Sequence, residues 1–517
     1  MVLPPKNTHP KGESPFSKQK AINQALEIDT YDGKVHVEWD PNASVTPIGQ
    51  LPFFIQFLKL GNRFDPWVND CPLGYQSNNA PEKRDVLGSL MLSILSGHTR
   101  YSHMTSLLCD RVNSKLLGMT KMVSPDSALR GLRKIEENKG IDWMRKHLYS
   151  SYSSLLKIPW ILDVDVTVKP IYGHQQGAKI GYNPHKPGRP SHAYHTYMMA
   201  NLRLVLEVEV QPGNQTHSNH SLPGLIRILD SLPPDQRPQF SRGDCDWGTD
   251  NVMSPMERKG YDYLFKVKKS KYVKQLIEKH HMLGEWTKFN YDWEGKEAQL
   301  QLQGWKSSRR VVIVRRRIAH QKALLGIEFG QPEQQTLAFV EDVEDMKLYE
   351  YSVLVTSLDN EVVSIIQLYR DRADCENVFD EIKNQWGWGG YTTHDLKRCQ
   401  FISRMIALIY NWWSLFVRLI NPDHHYEAIT SRPLLLSSIG RLTETGRQKR
   451  LVINSSHGKI KKIQERYQLL NQFFIDLKQN AEQLTSQEIW WRILEKAMES
   501  FSIKLTPDPP GNLPVLI

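Results

Sequence analysis

The 517-residue chain contains little cysteine and no long uninterrupted apolar run. Its five cysteines lie far apart, with no Cys-x-x-Cys pair and no regular cysteine and histidine spacing. These absences argue against a disulfide-stabilised secreted fold and against a structural zinc site. The first 20 residues also lack the apolar segment that a secretory signal needs, so we expect a cytoplasmic protein.

The most membrane-like stretch runs from Phe401 to Ile420, and it is interrupted by Arg404, Asn411 and Arg418. A charge near the centre of a membrane span is energetically costly. The stretch therefore predicts a buried core helix, and we expect no membrane partner.

The overall composition is that of a globular protein, with 24% charged and 40% hydrophobic residues. This composition excludes a disordered chain and a coiled-coil rod. Lysine and arginine number 66 against 56 acidic residues, which gives a formal net charge of +10. The excess of basic residues favours a polyanionic partner such as nucleic acid.

Changes in composition and periodicity divide the chain into six regions and predict a mixed α/β fold. The regions are an N-terminal arm with a small docked element (1–83), a helical region suited to binding DNA ends (84–155), a strand-rich region (156–268), a β-rich segment (269–350), a strand followed by long helices at 362–385 and 396–420 (351–425), and a helical C-terminal region suited to dimerisation (426–517).

Two pairs of aspartates stand out in the strand-rich region. Asp163 and Asp165 are two residues apart in LDVDVTVK, so they share one face of a predicted strand whose other positions are apolar. Asp244 and Asp246 follow the next strand-like run in RGDCDWG, where the chain turns. Carboxylates inside a buried strand need a cationic neighbour or a metal ion. Either member of each pair is a candidate.

A third group of polar residues lies in LYRDRADCENVFDEIKNQ. At about 100° per residue, Tyr369, Arg372, Glu376 and Lys383 fall on one face of a single predicted helix, beside an apolar stripe. A solvated face would explain Arg372 with Glu376 as an i,i+4 pair. It does not explain why a tyrosine and a lysine extend the same line.

The spacing Tyr369-x2-Arg372-x3-Glu376-x6-Lys383 resembles the Y-R-E-K signature of bacterial insertion-sequence DDE transposases. The similarity extends over residues 158–420, because Asp165 and Thr167 form a D-x-T strand and Arg242 with Asp244 form an R-G-D strand end in the order of that family. The resemblance implies an RNase H-like catalytic core (156–268 and 351–425) that is interrupted by a β-rich insertion (269–350), with helical N- and C-terminal regions.

The resemblance also implies the catalytic residues. They are Asp165, Asp244 and Glu376, which would bind Mg²⁺, with Mn²⁺ able to substitute. Asp165 matches better than Asp163 because the family's aspartate precedes the threonine by two residues, and Asp246 is the alternative to Asp244. Relatives often carry S-G-F after the second aspartate, where this chain has Cys245, Asp246 and Trp247.

Two sets of residues are expected to contact DNA. The first belongs to the Y-R-E-K signature, and the second consists of lysines and arginines clustered near the predicted core. From the resemblance, Tyr369, Arg372 and Lys383 would hold phosphates of the transposon end. The basic residues expected to contact DNA are Lys186 and Arg189 in a Pro-rich turn, Lys268, Lys269 and Lys271 after a core strand, and Arg315 and Arg316 in the insertion.

The expected function is therefore cleavage at the ends of an insertion sequence and joining of the 3′ ends to target DNA. The expected partners are the terminal inverted repeats, the target DNA and a second copy of the chain, at the bacterial nucleoid when bound. A metal nuclease without strand transfer and an inactive, transposase-derived DNA-binding protein are the alternatives. The presence of all three carboxylates argues against the inactive protein.

Overall fold

A computed structural model describes residues 25–499, except 41, 76, 78, 185, 319–345, 347, 392, 455–457 and 481–483. Helices and strands alternate through most of this range. The strands are β1 (Leu26–Thr30), β2 (Gly33–Val37), β3 (Val45–Thr46), β4 (Leu162–Pro170), β5 (Ser191–Met199), β6 (Leu204–Pro212), β7 (Ser241–Gly243), β8 (Tyr263–Lys266), β9 (Thr287–Lys288), β10 (Trp293–Leu300), β11 (Arg309–Arg317), β12 (Tyr349–Thr356), β13 (Gly440–Thr445) and β14 (Gln448–Ile453).

The α-helices of the described residues surround these strands. They are α1 (Leu51–Leu60), α2 (Phe64–Asp70), α3 (Lys83–Leu95), α4 (Asn113–Leu116), α5 (Pro125–Leu132), α6 (Glu137–Tyr152), α7 (Ser218–Ser231), α8 (Asp250–Lys259), α9 (Lys271–Met282), α10 (Val362–Arg370), α11 (Arg372–Gln385), α12 (Leu396–Ile420), α13 (Ala428–Leu435), α14 (Ile460–Gln479) and α15 (Ser486–Ala497).

Nine strands form one sheet in the order β6-β5-β4-β7-β8-β12-β11-β10-β9. Strands β4, β5 and β6 are antiparallel neighbours, whereas β7 and β8 run parallel to β4. This arrangement of the first five strands is that of an RNase H-like core, so the predicted mixed α/β fold is confirmed. Apolar runs in β5 and β6 account for their positions, since β5 is buried along its whole length.

The strands of the insertion continue the core sheet. β12 pairs antiparallel with β8 through Leu354 with Lys266 and Val355 with Phe265, and β11, β10 and β9 extend the sheet from there. Residues 319–345 and 347 of the β-rich segment predicted at 269–350 lie outside the described residues. Within the part that is described, the insertion and the core therefore share one backbone ladder.

Helix α12 covers the edge of the sheet at β6. Its Asn411 side chain accepts from the Val205 N–H and donates to the Val205 carbonyl, both at 2.8 Å. The Gln400 side chain likewise accepts from the Val210 N–H at 3.0 Å and donates to the Val210 carbonyl at 2.6 Å. These contacts satisfy backbone groups at an otherwise open sheet edge. The helix is buried along nearly its whole length, which confirms the core helix expected at 401–420.

Across the described ranges, we find no helix with both the length and the apolar character needed to cross a membrane.

The single helix expected at 362–385 is interrupted at Asp371, so α10 ends at Arg370 and α11 begins at Arg372. In an uninterrupted helix the Leu368 carbonyl would accept from the Arg372 N–H. Here the Leu368 carbonyl accepts from the guanidinium of Arg242. The buried Arg242 side chain, which comes from β7, thus takes the backbone acceptor that a continuous helix would use at this point.

The terminal regions are not purely helical, in contrast to the sequence expectation. β13 and β14 form a hairpin that pairs with β3 in a second sheet of order β14-β13-β3. Thr443 and Thr445 favour strand structure, and Gly446 allows the tight turn by taking a φ of +62°. β1 and β2 form a separate hairpin.

Candidate active site

Three carboxylates line one cavity of about 470 Å³, which we call the acidic cleft. Asp165 lies within β4, Asp244 directly follows β7, and Glu376 lies near the start of α11. The parallel pair of β4 and β7 places Asp163 beside Arg242. Asp165 and Asp244 each lie two residues further along, so the two carboxylates emerge next to each other on the same side of the sheet.

The acidic cleft raises the pKa of both aspartates. Burial raises the pKa of Asp165 to about 6, the Arg372 charge opposes this rise, and the charges of Asp244 and Glu376 add to it. Burial also raises the pKa of Asp244, although the backbone N–H of Asp246 donates to its Oδ1 at 3.0 Å and counteracts the rise. The mutual repulsion shows that the carboxylates are electrostatically coupled.

The guanidinium of Arg372 bridges two of the three carboxylates. Its Nη2 lies 3.1 Å from Asp165 Oδ1, and its Nη1 donates to Glu376 Oε1. Arg372 is 5% exposed, and its Nε is buried without a hydrogen-bond partner among the described residues. The arginine thus neutralises part of the acidic cleft and retains one unused donor.

The donor set suits a hard divalent cation, because carboxylate oxygens are the ligands that Mg²⁺ prefers. Nevertheless, the part of the chain that the structure describes contains no group of three or more potential ligand side chains close enough to hold a metal ion. Glu376 is paired with Arg372. Joint coordination by the three carboxylates would require Glu376 to separate from Arg372.

A family model described as "Transposase DDE domain group 1" matches residues 78–473, about three quarters of the chain. This match includes all three carboxylates of the acidic cleft. The chain belongs to the DDE transposase family. No curated protein matches it. A solved piggyBac transposase synaptic complex with hairpin DNA is similar over 90% of this chain and 87% of that chain, with 11% identity and a TM-score of 0.37.

The two alternative aspartates of this transposase have other contacts. Asp163 is fully buried and forms a bidentate ion pair with Arg242, at 2.6 Å to Nε and 2.9 Å to Nη2. Both of its oxygens are therefore occupied away from the acidic cleft. Asp246 lines the cleft, but its carboxylate accepts from the Ser218 N–H at the start of α7 and lies 3.4 Å from His217 Nδ1.

Part of the predicted DNA-binding set lies at the acidic cleft of the transposase. Lys268 and Lys383 line the cleft itself. Tyr369, Arg372 and Arg316 line a neighbouring cavity of about 410 Å³ between the insertion strands and helices α10 and α11. We call this cavity the insertion groove; Glu376 lines both spaces.

The remaining predicted DNA contacts lie elsewhere. Lys186 and Arg189 each lie 4.9 Å from the ring centre of exposed Tyr172. Lys269 and Lys271 lie at the N-terminal end of α9 and do not line the acidic cleft. Arg315 is paired with Glu294 at 2.6 Å and stacks on Trp286 and Tyr349. Arg315 thus has a structural partner, whereas its neighbour Arg316 faces the insertion groove.

Several residues that line the acidic cleft were not identified from the sequence. They are Tyr182, Pro184, Thr216, His217 and Asp380. Asp380 lies one helical turn after Glu376, so the helical period alone would have placed it on the same face. The others lie in loops, where sequence periodicity gives no information on spatial proximity.

Proposed function

We propose that the chain is a bacterial insertion-sequence transposase that cuts DNA at the ends of its element and joins the 3′ ends to target DNA. The observation that carries this proposal is the convergence of Asp165, Asp244 and Glu376 on one cleft that also contains Lys268 and Lys383. Acidic ligands for a cation and basic residues for phosphate at one site suit phosphoryl transfer.

Asp165, Asp244 and Glu376 would hold Mg²⁺ in this proposal, and Mn²⁺ can substitute. When bound, the metal supplies an activated water or 3′-hydroxyl and stabilises the leaving oxygen at phosphorus. The chain's own contribution is to fix two carboxylates on adjacent strands and to bring the third from a helix. Burial raises the pKa of Asp165 and the charges of Asp244 and Glu376 add to the rise, so a bound cation would offset both effects.

The basic residues around the acidic cleft would position DNA. Arg372 has an unpartnered Nε beside the carboxylates, and a phosphate oxygen is the acceptor that such a buried donor requires. Tyr369, Lys383 and Lys268 would contact neighbouring phosphates, and Arg316 would extend the contacts into the insertion groove. Lys186, Arg189, Lys269 and Lys271 would add sequence-independent affinity from the surrounding surface. Arg315, ion-paired with Glu294, is left out of this set.

The proposed partners are the terminal inverted repeats, the target DNA and a second copy of the chain, since two ends must be brought together. We also propose a cytoplasmic protein that associates with the nucleoid when it binds DNA. The N-terminal helical region at 84–155 would recognise the end sequence. Its helix α5 begins at an N-cap, where the Ser124 side chain accepts from the Ser127 N–H at 3.3 Å, and it carries Arg130 in its last turn.

The decisive experiment incubates the purified chain with DNA that carries the ends of its own element, a target plasmid, and Mg²⁺ or Mn²⁺. Joined end-to-target products are the expected result. Cleavage without joining would identify a nuclease, and binding without cleavage would identify an inactive DNA-binding protein. Omission of the divalent cation should abolish both cleavage and joining while leaving binding of the end DNA measurable.

A further inference from the structure

The hairpin of β1 and β2 is exposed along both of its strands. The pairing register places Leu26 opposite Val37 and Ile28 opposite Val35, so four apolar side chains share one face. Trp39 follows directly and is also exposed. A two-stranded hairpin with an uncovered apolar face is at best marginally stable in water. This face therefore requires a covering surface.

The charge of the hairpin indicates what kind of surface covers it. Residues 26–40 contain five carboxylates and one lysine, a formal net charge of −4 in a chain whose total is +10. An acidic segment repels the phosphates of DNA and the head groups of an anionic membrane. The complementary surface must be a basic protein surface.

The chain itself provides such a surface at β13 and β14. Residues 440–453 carry four basic side chains and one carboxylate, a formal net charge of +3. The carboxylate, Glu444, is already paired with Lys115 at 2.6 Å. Among the described residues, no carboxylate lies within ion-pair distance of Arg441, Arg447 or Arg450. Within the described part of the chain, β14 is also an outer strand of its sheet, so one side of its backbone has no strand partner there.

The two hairpins match face by face. In the β13 and β14 pair, Leu442 lies opposite Leu451 on the less exposed face, while Arg441 and Arg450 lie on the opposite face. If β1 and β2 extended this sheet at β14, the apolar face of the hairpin would continue that of Leu442 and Leu451. Its acidic residues, Glu27 and Asp29 among them, would lie on the same face as the arginines.

We propose that the β1 and β2 hairpin of one copy adds to the β14 edge of a second copy, and that the exchange is reciprocal. Among the described residues, no strand of the same chain pairs with the outer side of β14, and both strands of the hairpin are exposed. Two such contacts, each covering a hairpin surface on the order of 500 Å², would bury roughly 2,000 Å², enough for a stable dimer. The proposal uses no residue of the acidic cleft, so it stands independently of the proposed chemistry.

Sedimentation of the full chain without DNA tests the contact. We expect a dimer, and we expect Ile28→Asp to raise its dissociation constant by about tenfold or more, because the substitution places a charge in the apolar face. Tyr31→Asp introduces the same charge at the exposed turn and should leave the dimer unchanged. All three proteins should still unfold cooperatively, since the hairpin lies outside the core, and only the Ile28→Asp protein should lose the stabilisation that dimerisation provides. A monomeric wild type, or an Ile28→Asp variant that dimerises normally, would overturn the proposal.

Cross-linking identifies which surfaces meet. One tagged chain carries Asp29→Cys and a differently tagged chain carries Arg450→Cys, both with exposed Cys109 replaced by serine. The expected product is a cross-linked species that contains both tags. Cross-links that form only within a single chain carrying both substitutions, only between two Asp29→Cys chains, or not at all would each refute the reciprocal exchange.

Discussion

Asp163 and Arg242 form a bidentate ion pair in the centre of the sheet, with both side chains essentially inaccessible to solvent. The pair joins β4 to β7, the two strands that carry Asp165 and Asp244. Arg242 also donates to the Leu368 carbonyl at the end of α10. One arginine therefore connects both strands to helix α10, which carries Tyr369.

Loss of either partner of this pair should destabilise the core. Arg242→Met leaves the Asp163 carboxylate buried without a partner, and we expect a loss of about 3 to 5 kcal/mol in the free energy of unfolding, measured by urea denaturation. The double variant Asp163→Leu with Arg242→Met should be less destabilised than the single variant. Asp230→Asn, which removes the exposed pair with Lys259, should leave the free energy of unfolding nearly unchanged.

Glu376→Gln should abolish cleavage of end DNA, with a loss of about 100-fold or more, because the amide is a poorer cation ligand than the carboxylate. Asp374→Asn is the matched control, since Asp374 lies on the same helix and pairs with Arg203 at 3.1 Å, away from the acidic cleft. Gel assays of end cleavage measure both variants. Normal cleavage by Glu376→Gln would show that the third carboxylate is assigned incorrectly.

Arg372→Gln should strengthen binding of Mn²⁺ to the DNA-free protein, because it removes a positive charge that contacts Asp165 and Glu376. Repulsion between the Arg372 charge and a nearby cation is worth about 1 kcal/mol or more. We therefore expect calorimetry to give about a fivefold to tenfold lower dissociation constant for Mn²⁺. The same substitution should weaken binding of end DNA. Unchanged metal affinity would argue against competition between Arg372 and the cation.

Arg316 and Arg315 should differ in their effect on DNA binding although they are adjacent. Arg316→Gln should reduce the slope of log affinity against log salt by about one unit, as expected for one lost phosphate contact. Arg315→Gln should leave this slope unchanged and lower the thermal stability, because Arg315 pairs with Glu294 and stacks on Trp286. Fluorescence anisotropy over a series of salt concentrations separates the two. Equal slopes for both variants would contradict the assignment of the insertion groove as a DNA-binding surface.

Acid should destabilise the fold through Glu207, a buried residue of β6 that pairs with Arg404 of helix α12. Burial disfavours its charge, but the Arg404 and Arg145 guanidinium groups outweigh burial and hold the pKa of Glu207 below its usual range. A carboxyl group with a lowered folded-state pKa contributes stability above its unfolded pKa and loses it as the pH falls through the folded value. We therefore expect a decline in stability below about pH 4. In Glu207→Gln this part of the decline should be absent, while stability at pH 7 should be lower.

The sequence was sufficient for the mixed α/β fold, because alternating apolar runs mark β4, β5 and β6 and a 20-residue apolar helix marks the core. It also identified three carboxylates that the structure brings to one cleft. Strand periodicity alone could not separate Asp163 from Asp165, since the partner of Asp163 is Arg242, which is 79 residues away. The preference for Asp165 came from the family resemblance. The break at Asp371 was missed for the same reason, because the group that takes the Leu368 carbonyl comes from a distant strand. The hairpin at 440–453 was missed because its charged residues also fit a helix.

The core and the insertion belong to one continuous sheet, and this continuity limits how the two can move when DNA binds. Any relative rotation of the insertion and the core would have to break the backbone pairs of β11 with β12, Val312 with Leu354 and Ile313 with Val353 among them. The acidic cleft and the insertion groove, which are both lined by Glu376, are thus held at a constant separation. A duplex that contacts both spaces must conform to this fixed spacing, so the ease with which its sequence deforms becomes a determinant of which DNA is accepted.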